Sequence, residues 1–296
     1  MSQQPTVAVL GLGAMGHAFA ANLLKNGFET HVWNRTASRG DDLVQAGAIL
    51  GKTPREAVEG VDVVICMLSD GPTTLAAFQG QDGLLAGLKQ GGIVAQMGTL
   101  GVDATEQLIN YLQAERPDVV FFDAPVSGTK TPAEQAQIVV LASGDREAGA
   151  AIEPVFAAIS RAVKWLGEAG RASKMKLVVN AWLISMMEGI AESCQLADEL
   201  GFTIDELWNV LEGGPLAAPY IKGKMEMFKA DNYQPQMQLT WALKDINLAI
   251  DAGGSRNLPI MQSISRHWQD AVNAGYGDSD LAVVYRYLGA QESNKA

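Results

Sequence analysis

Three glycines stand at the spacing of a phosphate-binding turn. Gly11-Leu12-Gly13-Ala14-Met15-Gly16 follows the apolar run Val7-Ala8-Val9-Leu10 and opens a helical pattern, His17 to Lys25. A GxGxxG string gains meaning only between a strand and a helix, which is its setting here. Gly11 permits the tight turn, Gly13 lets a pyrophosphate approach the backbone, and Gly16 lets the helix pack on the strand. The helix start then offers N–H groups and positive potential to the phosphates. Gly11, Leu12, Gly13, Ala14 and Met15 form the expected contact set. The plain alternative is a glycine turn without ligand; its context favours a dinucleotide.

The next β-rich run, Thr30-His31-Val32-Trp33, ends in Asn34-Arg35-Thr36. An acidic residue there would accept from the ribose 2′-hydroxyl and repel a 2′-phosphate. Arg35 can instead pair with a phosphate through its planar fork, and Thr36 can donate a hydroxyl. This predicts NADPH over NADH, with Asn34, Arg35 and Thr36 on the cofactor. Read blandly, Arg35 is a solvated surface residue. Met67 and Leu68, ending a later strand, complete the cofactor side.

A dinucleotide enzyme also needs a proton donor or acceptor. The three histidines are His17, His31 and His267, so a histidine-based hydrolase is a poor fit. The two cysteines, Cys66 and Cys194, lie in apolar stretches and read as buried thiols of a reducing compartment. With no C-x-x-C and so few imidazoles, no metal site is expected. A long apolar-rich helix offers Lys176 and Asn180, which are i,i+4 and share a face. Lys174 is two residues away, about 200° around the helix, and points elsewhere. An asparagine within the apolar run Leu177 to Ile184 needs a polar partner, which Lys176 and bound ligand could supply.

The elements that would carry these residues fall into two halves. Unbroken apolar runs at Asp62 to Leu68, Gly92 to Met97, Val119 to Asp123 and Ile138 to Ala142 suit a parallel sheet covered on both faces. Helical segments lie between them: Ser38 to Ala46, Pro54 to Glu59, Thr73 to Phe78, Thr105 to Ala114 and Arg146 to Ile159. Repeated βα units predict a doubly wound (Rossmann) parallel sheet over residues 1–166. Beyond Trp165-Leu166-Gly167 the pattern is all-helical: Gly170 to Leu200, Thr203 to Leu211, Lys222 to Lys229, Leu239 to Ala252 and Pro259 to Ala274. Residues 167–296 therefore read as an all-α domain joined by a long helix, with a polar tail, Gln291 to Ala296, that frays.

Composition narrows the partners. The 296 residues carry 22 Lys plus Arg against 33 Asp plus Glu, a formal charge of −11. That balance argues against nucleic acid and against an anionic membrane surface. Met1 to Thr6 is short and polar, unlike a secretory signal. Leu177 to Ala191 is interrupted by Asn180 and Glu188 and is too short to span a bilayer. A soluble cytoplasmic protein is expected.

Taken together, these motifs resemble the β-hydroxyacid dehydrogenase family over essentially the full chain. Its GxGxMG fingerprint matches Gly11 to Gly16, and its D-A-P-V-S-G segment matches Asp123-Ala124-Pro125-Val126-Ser127-Gly128. Its G-x-x-G-x-G-x-x-x-K-x-x-x-N pattern falls on Gly167, Gly170, Lys176 and Asn180, with Ala172 at the third glycine. Its late K-D pair matches Lys244-Asp245. Val32 to Thr36, Pro132-Ala133-Glu134 and Lys174 to Leu177 look like its glyoxylate/succinic semialdehyde reductase branch, which uses NADPH.

The resemblance implies hydride transfer from nicotinamide to the carbonyl carbon of a small aldehyde or keto acid. Lys176 would donate a proton to the oxygen, and Asn180 would orient Lys176 or the substrate. Ser127 and N–H groups near Gly128 and Thr129 would hold the substrate carboxylate, with Thr99 near the nicotinamide ribose. Lys244 would contact the cofactor, Asp245 would help close the cleft, and a homodimer or homotetramer through the helical half is implied. Each has a structural reading beside it: a snorkelling lysine, a Ser-Gly turn, a solvated Lys-Asp pair. Asp123 reads as a strand terminator rather than a base, and His17 as a helix residue near the phosphates without acid–base duty.

The chain departs from the family at several positions. Gln96-Met97-Gly98-Thr99 replaces Asp-x-Ser-Thr and loses a hydroxyl near the cofactor, and Ser127-Gly128-Thr129-Lys130 replaces Ser-Gly-Gly. Met237 stands where the branch often presents a phenylalanine to the substrate. Rival readings are a dehydrogenase of 3-hydroxyisobutyrate or tartronate semialdehyde type, an imine reductase, and an NADP-binding assembly module without turnover. Lys176 argues against the last two.

Overall fold

The computed structural model describes residues 4–293, leaving aside the side chains of residues 291–293. The chain divides into two compact units, Met1–Lys176 and Leu177–Ala296. In the first, β1 (Val7–Leu10), β2 (Thr30–Trp33), β3 (Ile49–Leu50), β4 (Val63–Cys66), β5 (Ile93–Gln96) and β6 (Val120–Asp123) form one sheet. Every pairing in it is parallel, in the order β3-β2-β1-β4-β5-β6. All residues of β1, β4 and β5 are buried, so each strand feeds two layers by alternation. Val7, Val9, Val63 and Ile65 join Phe19 and Leu23 on one side. Ala8, Leu10, Val64 and Cys66 join Phe78 and Leu108 on the other. The strand order reverses between β1 and β4, and in such sheets ligands bind beyond the carboxyl ends at that point.

Helices cover both faces: α1 (Ala14–Lys25), α2 (Asp41–Gln45), α3 (Pro54–Val58), α4 (Gly71–Phe78), α5 (Leu84–Gly87), α6 (Val102–Glu115), α7 (Lys130–Glu134) and α8 (Glu153–Ile159). The doubly wound architecture is the one the sequence predicts. Ile138 to Ala142 corrects the reading in one respect: it lies outside that sheet. With β7 (Val126–Ser127) and β9 (Ser160–Trp165), β8 (Ile138–Ala142) makes a separate three-stranded sheet, antiparallel to β7 and parallel to β9. A bridge between Asp123 and Ser143 runs from the end of β6 to the end of β8. The expected helix from Arg146 to Ile159 is also shorter. The Asp145 carboxylate accepts from the N–H groups of Glu147 and Ala148, a turn that precedes helix, and Pro154 sits in the first turn of α8.

The long helix α9 (Arg171–Glu199) begins in the first unit and continues into the second. The second unit adds α10 (Ile204–Leu211), α11 (Pro219–Lys229), α12 (Leu239–Ala252), α13 (Pro259–Ala271) and α14 (Val284–Ser293). Thr203 and Glu206 form a reciprocal capping box on α10. The core of this unit gathers Ile184, Met187, Ala191 and Cys194 with Phe228, Leu243, Ile246 and Trp268. Because α14 runs to Ser293, the first residues of the supposed frayed tail are helical; Asn294 to Ala296, like Met1 to Gln3, lie outside the described residues. No described helix is long and apolar enough to cross a membrane.

Candidate active site

The glycine turn shows why its residues are needed. Gly11 has φ +98°, and a Cβ there would collide with the Met67 carbonyl oxygen. A Cβ at Gly16 would collide with the Gly11 carbonyl oxygen. At Gly13 a Cβ would meet nothing within 4 Å, so the turn is open where a pyrophosphate would approach. Gly13 caps α1 with no side-chain hydrogen bond, and the first turn of α1 has no acidic residue. This is a helix N-terminus whose donors and potential suit an anion, so the residues fit a dinucleotide.

Asn34 has a more local task than its place in the cofactor set suggests. Its Oδ1 accepts from Leu12 N at 3.0 Å and its Nδ2 donates to the Thr36 carbonyl at 2.9 Å. One amide thus ties the glycine turn to the loop carrying Arg35 and Thr36. Both of those residues are exposed. Arg35 makes no ion pair among the described residues. The exposed Arg39, one turn on in the short helix Ala37–Gly40, is a further cation that the sequence reading passed over. His17 lies on α1 with Nε2 2.9 Å from the Asp42 carboxylate.

The Gln96-to-Thr99 departure has a structural counterpart. Gln96 Oε1 accepts from Gly98 N at 2.9 Å and Nε2 donates to the Gly98 carbonyl at 2.7 Å. A Cβ at Gly98 would collide with the Leu68 carbonyl oxygen. The β5 turn therefore closes onto the Met67-Leu68 segment more tightly than a serine would allow, with half-buried Thr99 next along the chain.

At the end of β6, the Asp123 carboxylate is fully buried. It accepts from Ser173 N at 2.7 Å and Ser173 Oγ at 2.6 Å, in the first turn of α9. Burial pushes this carboxyl above the usual range, and the Ser173 and Ser143 hydrogen bonds pull it back. Ser127 is half-buried at the end of β7. Gly128 follows with φ +142°, where a Cβ would lie 2.7 Å from Ile138 Cγ2. Thr129 caps the five-residue α7 without a side-chain bond. Lys130 Nζ lies 3.8 Å from Glu134.

The helix separates the two lysines. Lys174 is largely exposed and paired with Glu106 at 2.9 Å, whereas Lys176 is only 9% exposed. Asn180, one turn further on, is buried and donates from Nδ2 to Asp245 Oδ2 at 2.5 Å. Asp245 Oδ1 is 3.1 Å from Lys244 Nζ. Asn180 thus takes as partner an aspartate 65 residues away, which no spacing in the sequence points to. Met237 is held through its backbone: its N–H donates to Asp280 Oδ2 at 3.2 Å and its carbonyl accepts from Leu281 N. Asp280, itself buried and paired with Lys224 at 2.6 Å, went unread in the sequence.

Both halves of the chain match known families. Residues 6–167 match the NAD binding domain of 6-phosphogluconate dehydrogenase. Residues 170–288 match the NAD-binding domain of NADP-dependent 3-hydroxyisobutyrate dehydrogenase. Glyoxylate/succinic semialdehyde reductase 1 of Arabidopsis thaliana is 34% identical over 280 residues, 94% of this chain and 96% of that protein. The cytokine-like nuclear factor N-PAC of Gallus gallus is 34% identical over 282 residues, 95% of this chain but 51% of that protein, so this chain spans about half its length. The 3-hydroxyisobutyrate dehydrogenase of Salmonella typhimurium shares the fold, with TM-score 0.85, 24% identity, and coverage of 95% of this chain and 99% of that one. The chain belongs to the β-hydroxyacid dehydrogenase family, as an NAD(P)-dependent oxidoreductase acting on hydroxyl groups.

Proposed function

We propose that this protein uses NADPH to reduce a small aldehyde or keto acid, of glyoxylate or succinic semialdehyde type, to the hydroxy acid. The observation that carries the reading is the buried Lys176, on the same helix face as Asn180 and apart from the exposed, ion-paired Lys174. Bound NADPH would supply a hydride to the carbonyl carbon. The Lys176 ammonium would polarise the carbonyl oxygen and give it a proton as the C=O double bond becomes C–OH, then regain a proton from water. Asn180, held by Asp245, would orient Lys176 or the substrate. Ser127 and the N–H groups around Gly128 and Thr129 would bind the substrate carboxylate, and Met237 would face its side group. Lys244 and Thr99 would reach the cofactor.

Exposed Arg35, at a strand end without a neighbouring acid, supports NADPH over NADH. The relative from Arabidopsis supports the substrate class. The match of the helical half to an NADP-dependent 3-hydroxyisobutyrate dehydrogenase supports a second reading, oxidation of a 3-hydroxy acid. The deciding experiment follows nicotinamide absorbance with a panel of carbonyl acids, 3-hydroxy acids and cyclic imines, each with both cofactors. The proposal expects glyoxylate or succinic semialdehyde to give the highest kcat/KM, with NADPH at least about tenfold better than NADH. Equal efficiency with NADH, or turnover confined to 3-hydroxy acids or imines, contradicts it.

Exposed Val178, Trp182 and Leu196 on α9, and Leu200 just beyond its end, support a homodimer or homotetramer through the helical half. The buried free thiols Cys66 and Cys194 support a reducing, cytoplasmic setting.

A further inference from the structure

We infer that Asp123, with Ser143 beside it, is a positioning residue for Lys176: it fastens the first turn of α9 to the end of β6 and so sets where Lys176 stands. The inference rests on the reading of Lys176 as proton donor. A helix start leaves N–H groups without intrahelical partners, and a side chain just before the helix normally takes them. Here the preceding residue is Gly170, with φ +91°, which has no side chain to offer. The work falls to distant residues. Ser173 N and Ser173 Oγ donate to the two oxygens of Asp123, 50 residues away in sequence. Ala172 N donates to Ser143 Oγ at 3.1 Å, and that hydroxyl donates to Asp123 Oδ2 at 3.3 Å.

The anchor is itself rigid. Asp123 and Ser143 exchange both backbone hydrogen bonds, at 3.0 and 2.9 Å. Thr105 Oγ1 on α6, within hydrogen-bond distance of the Gly101 carbonyl at 2.7 Å, also lies 3.2 Å from Ser173 Oγ, so its single proton is shared between the two. Asp123, Ser143, Thr105 and Ser173 are all buried, and every one has a partner within the group. A carboxylate facing the positive end of a helix is an oriented, charge-assisted contact, unlike apolar packing, which would let the helix slide. Lys176 comes three residues after Ser173, about 4.5 Å along the axis, so the direction of its side chain follows from this first turn. In the D-A-P-V-S-G segment the serine and glycine lie four and five residues after the aspartate. One short segment thus sets both the candidate carboxylate site and the helix that carries the proton donor.

The test compares D123A, D123N, S143A, K176A and the double variant D123A/K176A in the full chain. Readouts are NADPH dissociation constant, kcat and KM for the best carbonyl acid, and amide hydrogen exchange of Ala172 to Lys174. D123A leaves the Ser173 N–H and hydroxyl without acceptor and is expected to lower kcat about 100-fold, with NADPH affinity within about twofold. D123N, which still offers one oxygen, is expected to recover most of that loss. The double variant is expected to be no slower than K176A, because a residue acting through Lys176 has nothing left to position. A merely structural role would lower kcat and NADPH affinity together, or multiply the two losses, and either result overturns the inference. If D123A does not fold, S143A, which removes the acceptor of Ala172 N, carries the comparison: faster exchange at Ala172 to Lys174 with reduced kcat supports the clamp, and unchanged exchange overturns it. Absence of turnover by the unmodified protein on any carbonyl acid overturns the proposed reaction instead, while the exchange measurement still decides whether the clamp exists.

Discussion

On the proposed cofactor side, Arg35 is assigned recognition and Gly98 shape. Arg35 is exposed, so its replacement should leave the fold intact. R35A is expected to raise the KM for NADPH about tenfold or more while leaving that for NADH nearly unchanged, since a charged hydrogen bond contributes about 1.5–3 kcal/mol. Steady-state kinetics with both cofactors check this. Gly98 is different, because the Leu68 carbonyl occupies the place of a side chain and Gln96 fixes the turn from both sides. G98S, though it brings the residue the family commonly has, is expected to destabilise by about 1–3 kcal/mol in denaturant unfolding. What was legible at this scale came from chemistry that acts locally. Gly11, Gly13 and Gly16 were readable because a tight turn, a pyrophosphate's approach and close helix packing each ask for glycine, and Lys176 was told from Lys174 by helical geometry together with the family's lysine motif. The partners of Asn180 and Met237, Asp245 and Asp280, were not, because each contact joins residues more than 40 positions apart.

Among elements, α9 is the one on which the account turns. Its start is fixed by Asp123 and Ser143, and further along Glu188 binds it to α13. The buried Glu188 carboxylate accepts from His267 Nδ1 at 2.5 Å and from Trp268 Nε1 at 2.6 Å. The Glu188 hydrogen bond raises His267 above its ordinary value of 6.5, so the folded state binds that proton more tightly than the unfolded one. The stability this contributes is fully present below about pH 6.5 and is lost as pH rises through the raised value. Thermal unfolding should therefore show Tm falling as pH rises above about 6.5, and H267Q should flatten that slope. The misread elements have an equally physical origin. Ile138 to Ala142 is apolar in the same way whether it joins the main sheet or a second one, and β7 is only two residues long. Hydrophobic periodicity identifies a buried strand without naming its neighbour.

For the whole molecule, the sequence arithmetic of two halves and scarce histidine bears on the chemistry proposed: acid–base duty is assigned to a lysine because no histidine is placed to take it. The formal charge of −11 leaves Arg35, Lys176 and Lys244 as the cations proposed to face an anionic cofactor and substrate. Exposed Trp182 and Val178 belong to the same helix as Lys176, so the proposed self-association and the proposed proton transfer would share an element. W182E is expected to shift the assembly toward monomer in size-exclusion chromatography with light scattering. An unchanged mass would remove this face from the interface.

The central claim, that Lys176 supplies the proton, is tested most directly by kcat for NADPH-dependent reduction in K176A beside K174A. The account predicts a loss of about 10²–10⁴ in K176A with NADPH still bound, and K174A within about twofold of the unmodified protein. Equal effects of the two substitutions, or turnover that survives K176A, would contradict it.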